Sequence, residues 1–170
     1  MKIAICFCIL VLPCLGAPPV KFLTLRHLGA YSGVDNDGVS FEKKYFISQY
    51  LKLTPPAARS YCKSFGPNMD LVSFDSRNEF LVVRAKLEPE VTNKSITVIV
   101  GGFANIDKTG KRDYHWIASG VKKFSDLEVP QDRMCLGIQK EKNQPVTFVP
   151  LSCDESLKFM CQEMEVQYAN

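Results

Sequence analysis

Several things this chain lacks narrow its function before any motif is considered. It has two histidines, His27 and His115, and no G-x-S-x-G elbow, no H-E-x-x-H helix and no P-loop, so the local signatures of hydrolases, zinc peptidases and nucleotide-binding enzymes are missing. His27 falls in an N-terminal segment and His115 beside Trp116 on an expected strand. The expectation is therefore a non-catalytic protein with no catalytic residues. Charge of one sign is also scarce. The formal net charge is +3, with Lys and Arg scattered along the chain, which argues against nucleic acid or an anionic membrane as partner. No C-x-x-C knuckle occurs, and structural zinc sites usually carry one. After the N-terminus there is no apolar run long enough to span a membrane.

What is present first is a leader-like start. Lys2 precedes an almost unbroken apolar run from Ile3 to Leu15, and small residues surround Gly16. This is the layout of a secretory signal peptide over residues 1–16, with cleavage before Ala17. A run of about 13 apolar residues is short of the roughly 20 that a spanning helix requires. Cleavage would remove Cys6, Cys8 and Cys14 and leave Cys62, Cys135, Cys153 and Cys161. An even set in a secreted, extracellular chain reads as two disulfides with three possible connectivities. Asn93-Lys94-Ser95 fits the N-glycosylation pattern. The remaining length, about 154 residues, suits one domain with its own core.

Local patterns give the order of elements. Residues 17–43 read as a loosely ordered extension with a turn-like run from Ser32 to Gly38. Asp35-x-Asp37-Gly38 is only a fragment of a calcium loop, because the later acidic ligand is missing. Lys44 to Ser48 is aromatic and β-branched, a strand. Thr54-Pro55-Pro56 starts a helix through Ala58, Tyr61, Cys62 and Phe65, with Gly66 as its stop. Ser76-Arg77-Asn78-Glu79 is a capping box for a second helix, with Phe80, Val83, Ala85 and Leu87 on its buried face and Pro89 at its end. Short strands follow at Ile96–Val100 (closed by Gly101-Gly102), Tyr114–Ile117, Cys135–Ile138, Val146–Phe148 and Lys158–Cys161. A strand, two helices and then several strands make an α+β fold.

Taken in order, these pieces resemble the C-type lectin-like domain. The resemblance is carried by Tyr45-Phe46-Ile47, Ala57 to Cys62, Met69 to Ser73, Ser76 to Phe80, Gly101-Gly102, Tyr114-His115-Trp116, Cys135-Leu136, Cys153 and Phe159-Met160-Cys161. It spans residues 45–162 and implies a lectin-like domain over 44–163, with a tail over 164–170. The flavour is that of secreted lectin-like proteins of insects. The resemblance implies bridges Cys62–Cys161 and Cys135–Cys153, a long-loop region and the family's short form, since the extension lacks a further cysteine pair. In the chain-entropy model such bridges contribute about 4.7 and about 3 kcal/mol.

The same resemblance directs attention to calcium. Sugar-binding members usually place Trp-Asn-Asp before the third cysteine, and here the matching positions are Phe148, Val149 and Pro150. Members also carry Glu-Pro-Asn or Gln-Pro-Asp on the long loop, whereas this chain has Val129-Pro130-Gln131. Calcium takes six to eight oxygen ligands and its affinity follows their charge, so the expectation is no metal and no cofactor at the principal site. Glu128, Gln131, Asp132 and Asp154 are the candidate ligand-contacting residues that remain near it. The function implied is recognition of a protein or glycan ligand on a cell or extracellular surface without calcium; the alternative is carbohydrate binding, through calcium or an unlocated site.

Overall fold

The computed structural model describes residues 24–34, 38–91, 95–118, 130 and 132–167. The expected signal peptide over 1–16, the Asn93 acceptor, Glu128 and Gln131 lie outside them. Among the described residues two α-helices flank a sheet. The strands are β1 (Leu25–Val34), β2 (Ser40–Ser48), β3 (Met69–Leu71), β4 (Ile96–Ile106), β5 (Arg112–Trp116), β6 (Cys135–Lys140), β7 (Thr147–Leu151) and β8 (Lys158–Gln167). The helices are α1 (Pro55–Lys63) and α2 (Arg77–Leu87). The sheet runs β1-β2-β8-β4-β6-β7, with β3 added to β8 and β5 added to β4. Among the described residues only β4 against β8 is parallel, and the other ladders are antiparallel.

Alternation along the central strands organises the interior. In a strand, successive side chains point to opposite faces, and here each face has its own core. Phe159 and Cys161 of β8, Ile99 of β4 and Leu151 of β7 pack with Ala58 and Cys62 of α1. Met160, Val98, Val100 and Ile138 pack with Phe80, Val83 and Leu87 of α2. A sheet covered on both faces explains why β8 is buried without interruption from Phe159 to Gln162. The first bridge, Cys62–Cys161, ties α1 to β8 with a Cα–Cα distance of 5.5 Å. The second, Cys135–Cys153, ties the start of β6 to the turn after β7 at 5.2 Å. Both fit the ordinary span of a disulfide.

The helix starts follow the sequence signals, with differences in detail. Pro55 and Pro56 open α1, yet Thr54 makes no side-chain cap bond. Ser76 caps α2 by accepting the Glu79 N–H at 3.1 Å. The reciprocal half of the box shifts by one residue, because the Glu79 carboxylate accepts from the N–H of Asp75 at 2.8 Å rather than from Ser76. Ala85, expected on the buried face, is exposed. The buried set Phe80, Val83 and Leu87 already fills that face, and residue 85 falls on the other side of the helix.

Three expected boundaries are corrected. Residues 25–34, assigned to a loosely ordered extension over 17–43, form β1 in register with β2. Gly33 reads as part of the turn-like run from Ser32, but it serves the strand. Gly29, at φ 147°, sits where the register shifts after His27, and a Cβ at Gly33 would lie 2.7 Å from the Phe41 ring. The sheet therefore includes residues well ahead of 44. β4 does not close at Gly101-Gly102 but continues to Ile106. The glycines mark an irregularity between Ile99 and Phe103, and a Cβ at Gly102 would meet Leu136 at 2.5 Å. Finally, β8 extends to Gln167 and absorbs most of the expected tail over 164–170.

A buried charge cluster joins β2 to α2. Lys43 and Glu79 are both 0% exposed. The Lys43 ammonium donates to Glu79 Oε1 at 2.9 Å and to Asp75 Oδ2 at 2.6 Å, and Tyr45 donates its hydroxyl proton to the same Glu79 oxygen at 2.6 Å. Every oxygen of Glu79 thus has a donor, which buried charge requires. Removing one partner of a buried pair typically costs about 3–5 kcal/mol. Lys43→Met is expected to lower the unfolding free energy by about that amount in urea titration; a loss below about 1 kcal/mol would show that the pair is not intact.

Candidate functional site

The segment from Phe148 to Pro150 lies on β7, whose register with β6 pairs Ile138 with Phe148, Gly137 with Val149 and Leu136 with Pro150. Alternation divides the three residues. Phe148 points to the α2 face, where it stacks on Phe80 with ring centroids 4.6 Å apart. It also meets Phe74 and Trp116 at 6.0 Å each. Such aromatic groupings add about 0.5–1.5 kcal/mol per pair beyond their buried area. Val149 turns to the other face and packs against the α1-side core. Pro150 presents its carbonyl oxygen, which accepts a long hydrogen bond of 3.4 Å from Arg133 Nη1.

The segment entering β6 lies alongside. The Arg133 N–H donates to the Pro130 carbonyl at 3.3 Å, forming a turn, and Met134 packs against the α2-side core. Asp132 is exposed, as is Asp154. The backbone N–H of Asp154 donates to Ser152 Oγ at 3.3 Å. Asp132 precedes Cys135 by three residues and Asp154 directly follows Cys153; the disulfide between these cysteines fixes both acids to the same end of the β6–β7 hairpin. Asp132 and Asp154 thus stand near the two ends of the Cys135–Cys153 bridge, and Glu128 and Gln131 lie outside the described residues. Among the described residues no group of three or more His, Cys, Asp and Glu side chains is arranged to hold a metal ion.

The two histidines are on different strands. His27 lies on β1 with its ring 5.4 Å from Phe46, not in a loose extension. His115 lies on β5 opposite Phe103 of β4. Two features escaped sequence reading. One is the Lys43 cluster, although the alternation Phe41, Lys43, Tyr45, Ile47 places Lys43 on an inward face. The other is a cavity edged by Arg26 and Lys158, for which the sequence gives no local signal because its residues come from five separate stretches of chain.

The strand order, the helix on each face of the sheet and the two bridges define a C-type lectin-like fold. No family model matches the chain, and no curated protein sequence does. Solved structures do. The chain is similar to human lithostathine, with a TM-score of 0.55 and 16% identity over 79% of this chain and 97% of that one. It is also similar to the C-type lectin CEL-I from Cucumaria echinata, with a TM-score of 0.53 and 18% identity over 80% and 96% of the two chains. A third is ovocleidin-17, a major protein of the Gallus gallus eggshell calcified layer, at 0.50 and 18% over 76% and 94%.

Tyr114 ties this end of the sheet together. It donates its hydroxyl proton to the Arg133 carbonyl at 2.6 Å. Burial pushes its phenol up to about 12 from the ordinary 10.0, with the nearby Arg133 charge opposing the rise. The unfolded chain releases this proton near pH 10 while the folded one holds it. Stability is therefore complete below pH 10 and falls as pH rises toward 12. Tyr45 is raised as well, by burial and by Glu79, and adds to the loss. Tyr114→Phe should flatten part of the decline in melting temperature between pH 10 and about 12; an identical slope in the variant would refute the assignment.

Proposed function

We propose that this protein is an extracellular, non-catalytic recognition module that binds a protein or glycan surface without calcium. One observation carries the reading. At the position where the resemblance would place a ligand pair, Phe148 is committed to the aromatic stack, Val149 is half-buried against the α1-side core, and the Pro150 carbonyl accepts from the Arg133 guanidinium. Valine and proline bring no side-chain oxygen, and the Arg133 guanidinium beside the Pro150 carbonyl opposes a divalent cation there. The residues present do not fit calcium there.

Further support comes from the formed disulfides, which suit an oxidising compartment. No helix among the described residues is long and apolar enough to cross a membrane. The separation of His27 and His115 onto strands β1 and β5 supports the non-catalytic reading. The exposed end of the β6–β7 hairpin, with Asp132 and Asp154, is the surface offered for contact.

The test is calorimetric and thermal titration with calcium, followed by a glycan array and a cell-surface binding assay with and without chelator. We expect no saturable heat and no rise in melting temperature at millimolar calcium, and surface binding that survives chelation. A ligand that binds only the folded state raises its stability by mass action, so a calcium-dependent rise in melting temperature would overturn the reading in favour of a calcium-dependent lectin.

A further inference from the structure

The two bridges differ in their access to solvent. Cys62 and Cys161 are both 0% exposed and Cys135 is 3% exposed. Cys153 is only half-buried, in the turn after β7, and runs directly into Asp154, Glu155 and Ser156, all exposed. Of the four bridged residues Cys153 alone therefore reaches the surface. Thiol–disulfide exchange begins with a thiolate reaching one of the two sulfurs, so its rate follows access. An external thiol can approach Cys135–Cys153 from the Cys153 side, while Cys62–Cys161 stays closed until α1 parts from β8.

The same bridge fixes the chain between β7 and β8. β7 ends at Leu151, and the next anchored residue is Leu157, whose N–H and carbonyl pair with Leu53 at 3.1 and 3.0 Å. Among the described residues, the hydrogen bonds of residues 152–156 stay within the segment. The Asp154 N–H donates to Ser152 Oγ at 3.3 Å and the Glu155 N–H to the Ser152 carbonyl at 3.4 Å, both long for such bonds. The segment is thus held at one point, Cys153, which is bonded to Cys135 and packed against the α1-side core. The ladder beside it does not depend on that point. β6 and β7 share register pairs from Cys135–Leu151 to Gln139–Thr147, and Phe148 is stacked on Phe80. Opening the bridge releases the turn that carries Asp154 without undoing the sheet.

We propose that Cys135–Cys153 is a reducible clamp on the hairpin end. An external dithiol opens it in the folded protein, residues 152–156 loosen, and Cys62–Cys161 keeps the domain intact. One thiolate of the dithiol attacks the Cys153 sulfur, and the Cys135 sulfur leaves with the bonding electron pair and takes up a proton. The second thiol of the reagent then displaces Cys153 and closes the reagent's own disulfide, so two electrons and two protons pass to the protein. Asp132 and Asp154 stand near the two ends of this bridge, so its state sets how firmly the contact surface is presented. A surface that must be ordered on binding binds less tightly. That last step rests on the recognition role proposed above; the order in which the bridges open does not.

The experiment exposes the full chain to graded dithiothreitol at neutral pH without denaturant, traps free thiols with excess N-ethylmaleimide and maps them by peptide mass spectrometry. Cys135 and Cys153 should be labelled together, about tenfold or more ahead of Cys62 and Cys161. In the half-reduced chain, amide order parameters over 152–156 should fall below about 0.6 while those of β6 and β7 stay at about 0.85. The melting temperature should drop by roughly 10 °C with one cooperative transition kept. Cell-surface binding should weaken several-fold, and Cys135→Ala combined with Cys153→Ala should reproduce that loss. Labelling of all four cysteines at one rate, or of Cys62 and Cys161 first, would overturn the proposal. So would unchanged order parameters over 152–156, or equal surface binding by the oxidised and half-reduced chains. Should neither form bind any surface, the recognition role fails, and the labelling order and order parameters of the native chain still decide the clamp.

Discussion

The architecture depends on β8 being buried on both sides. It lies between β2 on one edge and β4 and β3 on the other, and its residues alternate between two separate cores. A register slip of one residue would exchange those cores, placing Cys161 away from Cys62 and Met160 against α1. The disulfide to α1 and the paired side-chain bonds between Gln162 and Ser73 both resist that slip, one on each face. The registers of β4, β6 and β7 follow from it, and with them the placing of Phe148 on the α2 face.

Covalent and ionic links are divided between the two faces. Both disulfides lie on the α1 side of the sheet or at its margin. The α2 side has none among the described residues and is held instead by Phe74, Phe80, Trp116 and Phe148 in ring contact and by the Lys43–Glu79 pair. A reducing environment would therefore weaken one half of the interior first, while a change that disturbs buried charge would act on the other. The hairpin end near Asp132 and Asp154 touches both halves, through Cys153 and through Phe148.

Much of the fold was legible in the residues, for reasons that differ by element. Ser76 marked the start of α2 because an N-cap acts locally, and the family resemblance implied both bridges where the even cysteine count left three pairings open. β1 was not legible because glycine serves turns and strands alike; only the pairing partner, Phe41, explains Gly33. Ala85 was misplaced because four apolar candidates exceed what one helical face holds. Lys43 was missed because a charged side chain inside a core is uncommon unless paired, and its partners lie more than thirty residues away. As for the site, the loss of oxygen donors at Val149 and Pro150 could be read directly. The Arg133 contact and the basic cavity could not, since both arise from tertiary approach.

The outer margins of the sheet have a consequence of their own. The strand path ends on β1 and β7, and unpaired strand edges are templates for joining another chain. β1 is interrupted by the bulge at Gly29, and β7 holds Pro150, which has no N–H to offer a newcomer. Both borders are thus poor seeds for fibrillar growth.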